Sequence, residues 1–305
     1  MGDVLCQGVI FLLTMVLGYV LKRLGVFRTE DKRFLSDLIF YITLPAMLVS
    51  SFSGVQVDFW FVVSFLLGLA VNALMVAAGT LASRNKEPAL QALYTINCAG
   101  LNLGNIAIPF LRNFFPAGIP YLCMFDTGDS FFSLGTTYAI ACGRLGRRGG
   151  SLLSTLRGIL SSLVRSVPFD TYVVMTVLSL LEVELPGGVL QAADFMGRGN
   201  GFLAMLLVGV SLELRLDRSS LGEVVRILAV RYACATAAAL AVWFLLPAPL
   251  VMRQILAVAV FAATPSAALI YSNRLGVRTE VAGALSPIST VLMIPIMCAV
   301  MALVT

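Results

Sequence analysis

The chain is divided into long apolar segments by short polar loops, and this pattern most limits what it can fold into. Ten such segments, called spans 1 to 10, lie at residues 4–21, 35–53, 59–82, 89–115, 118–142, 168–185, 193–214, 222–246, 251–274 and 281–304. About 20 apolar residues make a helix long enough to cross a bilayer. Of the 305 residues, 59% are hydrophobic and 12% are charged, whereas about a quarter of the residues in soluble domains are charged. The pattern predicts an all-α polytopic membrane protein with ten transmembrane helices in one domain, residues 1–305.

Lysine and arginine residues alternate between the loops, and this alternation predicts the orientation of the spans. The first and fifth loops contain five each, the second loop contains none, and the fourth, sixth and eighth contain one each. Because short basic loops stay in the cytoplasm, both termini are predicted to be extracytoplasmic, with the protein in the plasma or inner membrane. Residues 143–167 are predicted to be a cytoplasmic linker with an amphipathic surface helix at 151–166.

Missing residue types exclude several classes of function. There is no histidine, which removes Ser-His triads and HExxH zinc sites. The six cysteines form no CxxC pair, so no metal site is predicted. The sequence contains no basic tract with interleaved aromatic residues, so no nucleic-acid partner is predicted. The DTG triplet at residues 126–128 lacks the pattern of intramembrane proteases. We therefore predict no enzyme, no catalytic residue and no cofactor other than a coupling ion, H⁺ or Na⁺.

Two landmarks indicate an internal repeat. Residues 45–48 of span 2 read PAML and residues 203–206 of span 7 read LAML, an offset of 158 (45 to 203). Pro109 in span 4 and Pro265 in span 9 are separated by a similar offset of 156 (109 to 265). Since five spans is an odd number, the second copy must enter the membrane from the opposite side. We predict two inverted five-helix repeats, residues 1–142 and residues 168–305.

Spans 4 and 9 each contain residues that interrupt a helix. Span 4 reads GLNLGNIAIPFL at 100–111, and span 9 reads AATPSAALIYSN at 262–273. Interrupted helices in corresponding places of inverted repeats point to a transporter's binding site, and half-helix amino ends favour anions. We predict that broken helices 4 and 9 cross there. The predicted substrate-binding residues are Asn102, Gly104, Asn105, Pro109, Thr264, Pro265 and Ser266. The alternative is an ordinary kink, as we expect at Pro45, Pro287 and Pro295.

Span 5 contains two acidic residues, Asp126 and Asp129, inside its apolar run. Charged side chains at membrane depth are rare and usually functional, and a separation of three residues puts both on one helix face. Such a pair can share a proton or a cation, so both are predicted ion-coupling residues. The alternative is a structural ion pair with a buried base such as Arg231 in span 8.

Several segments resemble the auxin efflux carrier family: LPAMLVSSFSG in span 2, NLGNIAIP in span 4, FDTGDS in span 5 and ATPSAALIYSNRLGV in span 9. The family includes plant auxin exporters and PIN-like bacterial transporters of the bile acid/auxin transporter superfamily. The resemblance implies a substrate site at the crossing of spans 4 and 9. It also implies a scaffold of spans 1, 2, 6 and 7, a transport unit of spans 3–5 and 8–10, and a homodimer through the scaffold.

These observations predict a secondary active transporter that moves small organic anions, carboxylates, by an alternating-access, elevator-like mechanism. The plant exporters' long cytoplasmic loop is absent. Ala107 stands where the family has a glycine in span 4, and Ser266 or Ala267 stands where the family has a glycine in span 9. A small anion other than auxin is therefore expected. The alternatives are a sodium-coupled symporter of the bile-acid type and a non-transporting membrane receptor or scaffold.

Overall fold

The computed structural model describes residues 2–28, 31–52, 55, 57–146, 157–158, 160–161, 164, 166–212 and 218–305. Every regular element in these ranges is a helix. Four helices are long and apolar enough to cross a membrane: Asp31–Phe52, Phe59–Ser83, Ser220–Leu245 and Glu280–Val304. The predicted all-α, multi-pass membrane protein is confirmed, whereas the count of ten spans and the inverted repeat stay predictions. The amphipathic helix expected at 151–166 lies mostly outside the described residues.

The helices follow the predicted apolar segments in chain order. They are α1 (Gly2–Arg23), α2 (Asp31–Phe52), α3 (Phe59–Ser83), α4 (Pro88–Cys98), α5 (residues 103–111), α6 (residues 119–144), α7 (Val167–Leu180), α8 (Gly187–Arg198), α9 (Asn200–Ser211), α10 (Arg218–Leu245), α11 (Leu250–Ala259), α12 (Ser266–Leu275) and α13 (Thr279–Val304). Three predicted spans each hold two helices. Span 4 contains α4 and α5, span 7 contains α8 and α9, and span 9 contains α11 and α12.

The two boundaries that differ most from the apolar pattern belong to spans 6 and 7. The helix of span 6, α7, ends at Leu180, not at residue 185, because the chain turns where Glu182 adopts a positive φ of 54°. The first helix of span 7, α8, begins at Gly187, not at residue 193. Its early residues are exposed and not uniformly apolar, so hydropathy alone placed the start too late.

Two prolines follow wide helical turns instead of sharp kinks. Helix α2 contains a π-helical turn at Ile39–Thr43, two residues before Pro45, and α5 begins with one at Leu103–Ala107, two residues before Pro109. Proline has no N–H to give to the residue four positions earlier, and a π-helical turn accommodates the missing bond. In contrast, α13 continues through Pro287 and Pro295 without interruption.

The helices pack in two groups that meet at the centre of the protein. In the first group α1 packs on α9, and α2 packs on α7 and α8; in the second, α3 packs on α4, α6 and α10, and α13 packs on α10, α11 and α12. Helices α3 and α6 approach closely at Gly68, where a Cβ would lie 2.2 Å from the Phe125 carbonyl oxygen. The groups touch where α1 meets α13, α2 meets α6 and α9 meets α5.

Candidate functional site

The helices of spans 4 and 9 are both interrupted. In span 4, α4 ends at Cys98 and α5 begins at Leu103, with Gly100 at a φ of 77° between them. In span 9, α11 ends at Ala259 and α12 begins at Ser266. We call residues 99–102 the first break and residues 260–265 the second break. Each break exposes backbone groups that a continuous helix would have paired.

The two breaks touch each other. The backbone N–H of Asn102 donates to the Ala263 carbonyl oxygen at 2.8 Å. Gly100 lies so close to the second break that a Cβ there would be 2.8 Å from Cγ of Pro265. The positive φ and the close contact both require glycine at position 100. Backbone from two distant parts of the chain therefore meets in one small volume.

Arg231 of α10 lies behind this contact and is 2% exposed. Its Nη1 donates to the carbonyl oxygens of Asn97, Cys98 and Ala99 at 3.3, 2.9 and 3.3 Å, and its Nη2 donates to the Ala262 carbonyl at 3.2 Å. The end of α4 and the second break thus share one guanidinium. Within the described residues, no salt bridge joins Arg231 to Asp126 or Asp129, so the structural ion pair considered above is not formed.

Two cavities reach the first break from different sides. The larger, of about 320 Å³, lies beside α13, and we call it the α13 cavity; its lining includes Ser36, Asn102, Asn105, Ser211, Ser286 and Thr290. The smaller, of about 200 Å³, lies beside α7, and we call it the α7 cavity; its lining includes Phe40, Gly104, Asp126, Asp129, Tyr172 and Pro265. Asn102 and Asn105 line both cavities, so these two amides stand at the junction between them.

The two asparagines offer hydrogen-bonding groups at this junction. Asn102 is 8% exposed, and its side chain does not cap the amino end of α5. The Oδ1 atom of Asn105 is buried and has no hydrogen-bond partner. A buried amide without its full set of partners costs free energy, and a bound ligand or water would remove that cost. The amides of Asn102 and Asn105 can therefore hydrogen-bond a small molecule at the junction.

The two acids of α6 have different surroundings. Asp129 is 1% exposed and accepts hydrogen bonds from Nδ2 of Asn72 at 2.8 Å and from Oγ of Ser133 at 3.0 Å. Asp126 accepts a long bond of 3.4 Å from the Tyr172 hydroxyl. The Oδ1 atom of Asn72 also accepts from the backbone N–H of Gly100 at 2.7 Å. One side chain of α3 therefore links Asp129 directly to the first break.

Comparison with known protein families gives one match, over the first part of the chain. A family model described as "Membrane transport protein" matches residues 3–148. Over these residues the chain is similar to that family of membrane transporters. No curated protein matches the chain. The matched residues contain the first break and both acids, whereas the second break lies beyond them.

Six of the nine predicted site residues line the α7 cavity: Asn102, Gly104, Asn105, Asp126, Asp129 and Pro265. Thr264 is buried and lines neither cavity; its N–H donates to Oγ of Ser289 at 3.0 Å, and its hydroxyl has no partner. Pro109 lies in α5, away from the junction, where its carbonyl accepts from Nδ2 of Asn113. The side chain of Ser266 lies outside the described residues, and its backbone begins α12.

Three further residues at the candidate site were not predicted as site residues from the sequence. Asn72 is a single amide in the apolar run of span 3, and this isolation is a signal that sequence reasoning can use. Arg231 was noticed only as a partner for the acids, whereas its contacts are backbone carbonyls. No sequence pattern distinguishes Tyr172, because its hydrogen bond to Asp126 depends on how the helices pack.

Proposed function

We propose that the protein is a secondary active transporter that moves small organic anions, carboxylates, across the cell membrane. The observation that carries this proposal is the contact between two broken helices at the junction of two cavities. Non-helical backbone at membrane depth is tolerated where protein or a water-filled cavity covers it, and here the two breaks cover each other and two cavities reach them. A binding site of this kind, near the middle of interrupted helices, is typical of secondary carriers.

The electrostatics of the breaks favour an anion. Arg231 occupies the carbonyl end of α4 and one carbonyl of the second break, so the negative ends of these helices are already neutralised. The amino ends of α5 and α12 have no side-chain cap and carry partial positive charge. A carboxylate would meet these ends together with the amides of Asn102 and Asn105. Neutral donors suit a carrier, since the substrate must also be released.

The acids provide a means of coupling. Asp126 and Asp129 line the α7 cavity with Asn102, so an anion at the junction would be repelled by two ionised carboxylates. A proton or a cation shared by the pair would remove most of that repulsion. We propose that a coupling ion, H⁺ or Na⁺, binds the pair when the organic anion binds the junction.

The packing supports an elevator-like movement. One group of helices, α1, α2 and α7–α9, corresponds to the proposed scaffold, and the other, α3–α6 and α10–α13, corresponds to the proposed transport unit. Both breaks belong to the second group, so the substrate would move with it. In this proposal ten spans form two inverted repeats, both termini are extracytoplasmic, and a homodimer forms through the scaffold in the cell membrane.

The cavities favour an inward-open state under the predicted topology. The α13 cavity is lined by Lys32 and Arg33, and the α7 cavity by Ser166, all next to loops predicted to be cytoplasmic. At the opposite end, Nη2 of Arg112 donates to Oγ of Ser50 at 2.7 Å and contacts Oδ1 of Asp194 at 3.3 Å. These bonds join α2 and α8 to the segment after α5. They would keep the outer side closed while the cytoplasmic side is open.

Flux measurements in proteoliposomes test the proposal. The full-length protein is reconstituted, and uptake of labelled malate, malonate and indole-3-acetate is measured with proton and sodium gradients imposed separately. We expect gradient-driven uptake of a small carboxylate that empty liposomes do not show. Normal insertion without flux of any carboxylate under either gradient would favour the receptor alternative. Uptake driven only by sodium would favour the bile-acid-type symporter.

A further inference from the structure

Arg231 is a permanently charged group buried at the contact of the two breaks. Its four hydrogen bonds all go to backbone carbonyl oxygens: two at the end of α4, one on Ala99 in the first break and one on Ala262 in the second break. The guanidinium group stays protonated in proteins and donates from a fixed planar fork. A charge of this kind is expensive to bury. Asp129 attracts the guanidinium electrostatically but, within the described residues, forms no salt bridge with it. Its retention here therefore calls for a role at the breaks.

Carbonyl oxygens at helix breaks are the ligands that carriers use for coupling cations. Unwound carbonyls and half-helix carbonyl ends coordinate Na⁺ in transporters with broken helices. In this protein the same type of oxygen cluster already holds a cation, because both terminal nitrogens of Arg231 point at it. A metal ion at these carbonyls would meet a positive charge at contact distance and would find its ligands in use.

We propose that Arg231 is a tethered cation that replaces sodium at the breaks, so that the carrier closes its substrate site without a sodium ion. The guanidinium holds the end of α4 against the second break in every state of the transport cycle. Coupling then falls to the acid pair of α6 and to protons. This inference deepens the proposed function, on which its consequence for coupling rests, but the role of Arg231 at the carbonyls can be measured without transport.

Two side-chain oxygens near Arg231 offer the alternative outcome, in which sodium binds at the breaks beside the guanidinium. Asn97 Oδ1 and Thr264 Oγ1 are buried without hydrogen-bond partners, and they belong to the end of α4 and to the second break. Together with carbonyls they are ligands that a sodium ion accepts. If they bind sodium, the ion and the guanidinium act side by side, and Arg231 replaces nothing.

The wild-type protein gives the first test. The melting temperature of the purified full-length protein in detergent is measured in NaCl, KCl and choline chloride at equal ionic strength. We expect the same melting temperature in all three salts. A saturable rise that sodium alone produces would overturn the proposal and would point to Asn97 and Thr264 as ligands.

Variants give the second test. Arg231→Met removes the cation but keeps most of the side-chain volume. We expect its melting temperature to fall by several degrees and to recover partly with low concentrations of sodium or methylguanidinium. Arg253→Met is the matched control, because Arg253 also donates to a carbonyl, that of Trp243 at 3.2 Å, but lies away from both breaks. Its melting temperature should not respond to either cation.

The outcomes separate this inference from the transport proposal. An Arg231→Met protein that melts like the wild type, with no response to cations, would contradict the tethered-cation role. If Arg231→Met does not fold, Arg231→Lys takes its place. Lysine keeps the charge, but its ammonium group lacks the planar set of donors with which the guanidinium reaches four carbonyls. A lower melting temperature of Arg231→Lys therefore supports the role, and an unchanged melting temperature contradicts it. If these results hold but no carboxylate is transported, the proposed function fails and the role of Arg231 stands.

Discussion

The two breaks meet each other but contribute different groups to the junction. The first break, residues 99–102, brings polar side chains, since Asn102 lies in it and Asn105 follows in the π-helical turn. The second break, residues 260–265, is made of small or apolar residues apart from Thr264. Its contribution is mainly backbone, because Ala262 and Ala263 provide the carbonyls that accept from Arg231 and Asn102. The two breaks therefore contribute unequal chemistry to the junction.

The breaks are also supported by different partners. Asn72 of α3 holds the first break through the N–H of Gly100, and Ser289 of α13 holds the second through the N–H of Thr264. Only the first support leads on to a site acid, Asp129. A change in the state of that acid would therefore reach the first break more directly than the second.

The largest effect is expected from Gly100→Ala. A non-glycine residue in the left-handed region costs about 1–3 kcal/mol, and the new Cβ would also lie 2.8 Å from Pro265 Cγ and 3.1 Å from Ser133 Cβ. We expect a fall in melting temperature and loss of uptake. Gly104→Ala is the matched control, since its Cβ would meet nothing closer than 3.9 Å, at Oδ2 of Asp126. Because Gly104 lines the α7 cavity, the control applies to the melting temperature. An equal fall in melting temperature from both substitutions would refute a special fit between the two breaks.

The next effect concerns the acids. Asp126 has a long hydrogen bond to Tyr172, whereas Asp129 is held by Asn72 and Ser133. Asp126→Asn should therefore abolish gradient-driven uptake while the melting temperature changes little. Asp129→Asn should lower both, because it disturbs the support of the first break. Normal uptake by Asp126→Asn under a proton or a sodium gradient would mean that the acids have a structural role.

The smallest effect is expected from Thr264→Val in the second break. The Thr264 hydroxyl is buried without a partner, and its residue lines neither cavity, so an isosteric apolar side chain should leave substrate affinity unchanged. Affinity is measured by titration calorimetry with malate and malonate. A tenfold or larger loss of affinity would show that the second break also recognises the substrate through side chains. The proposed difference between the two breaks would then be wrong.

The sequence was sufficient for the helices and for most of the residues at the junction. The predicted segment 59–82 became α3 at Phe59–Ser83, and 281–304 became α13 at Thr279–Val304, because uniform apolar runs leave little choice of structure in a bilayer. Asn102, Asn105 and the acids were found because polar groups are costly at membrane depth. A polar residue inside a long apolar run can therefore be recognised from the sequence alone.

The position of the first break was less predictable. Pro109 marked span 4 as interrupted, yet the interruption lies at residues 99–102, and Pro109 follows a π-helical turn that absorbs its missing N–H. The chain leaves the helix at Gly100 because Asn72 and Pro265, distant in sequence, fit that conformation. For the same reason the roles of Asn72 and Arg231 appear only once the chain has packed.

The central claim is that a small carboxylate binds where the two breaks meet, and Asn102→Ala tests it most directly. Loss of one hydrogen bond to a charged ligand costs about 1.5–3 kcal/mol, or roughly ten- to a hundredfold in affinity. Calorimetric titration with malate and malonate is carried out beside a melting curve without ligand. We expect affinity weakened by that factor and a nearly unchanged melting temperature. Unchanged affinity with a large loss of stability would contradict it, because Asn102 would then serve only the backbone of the break.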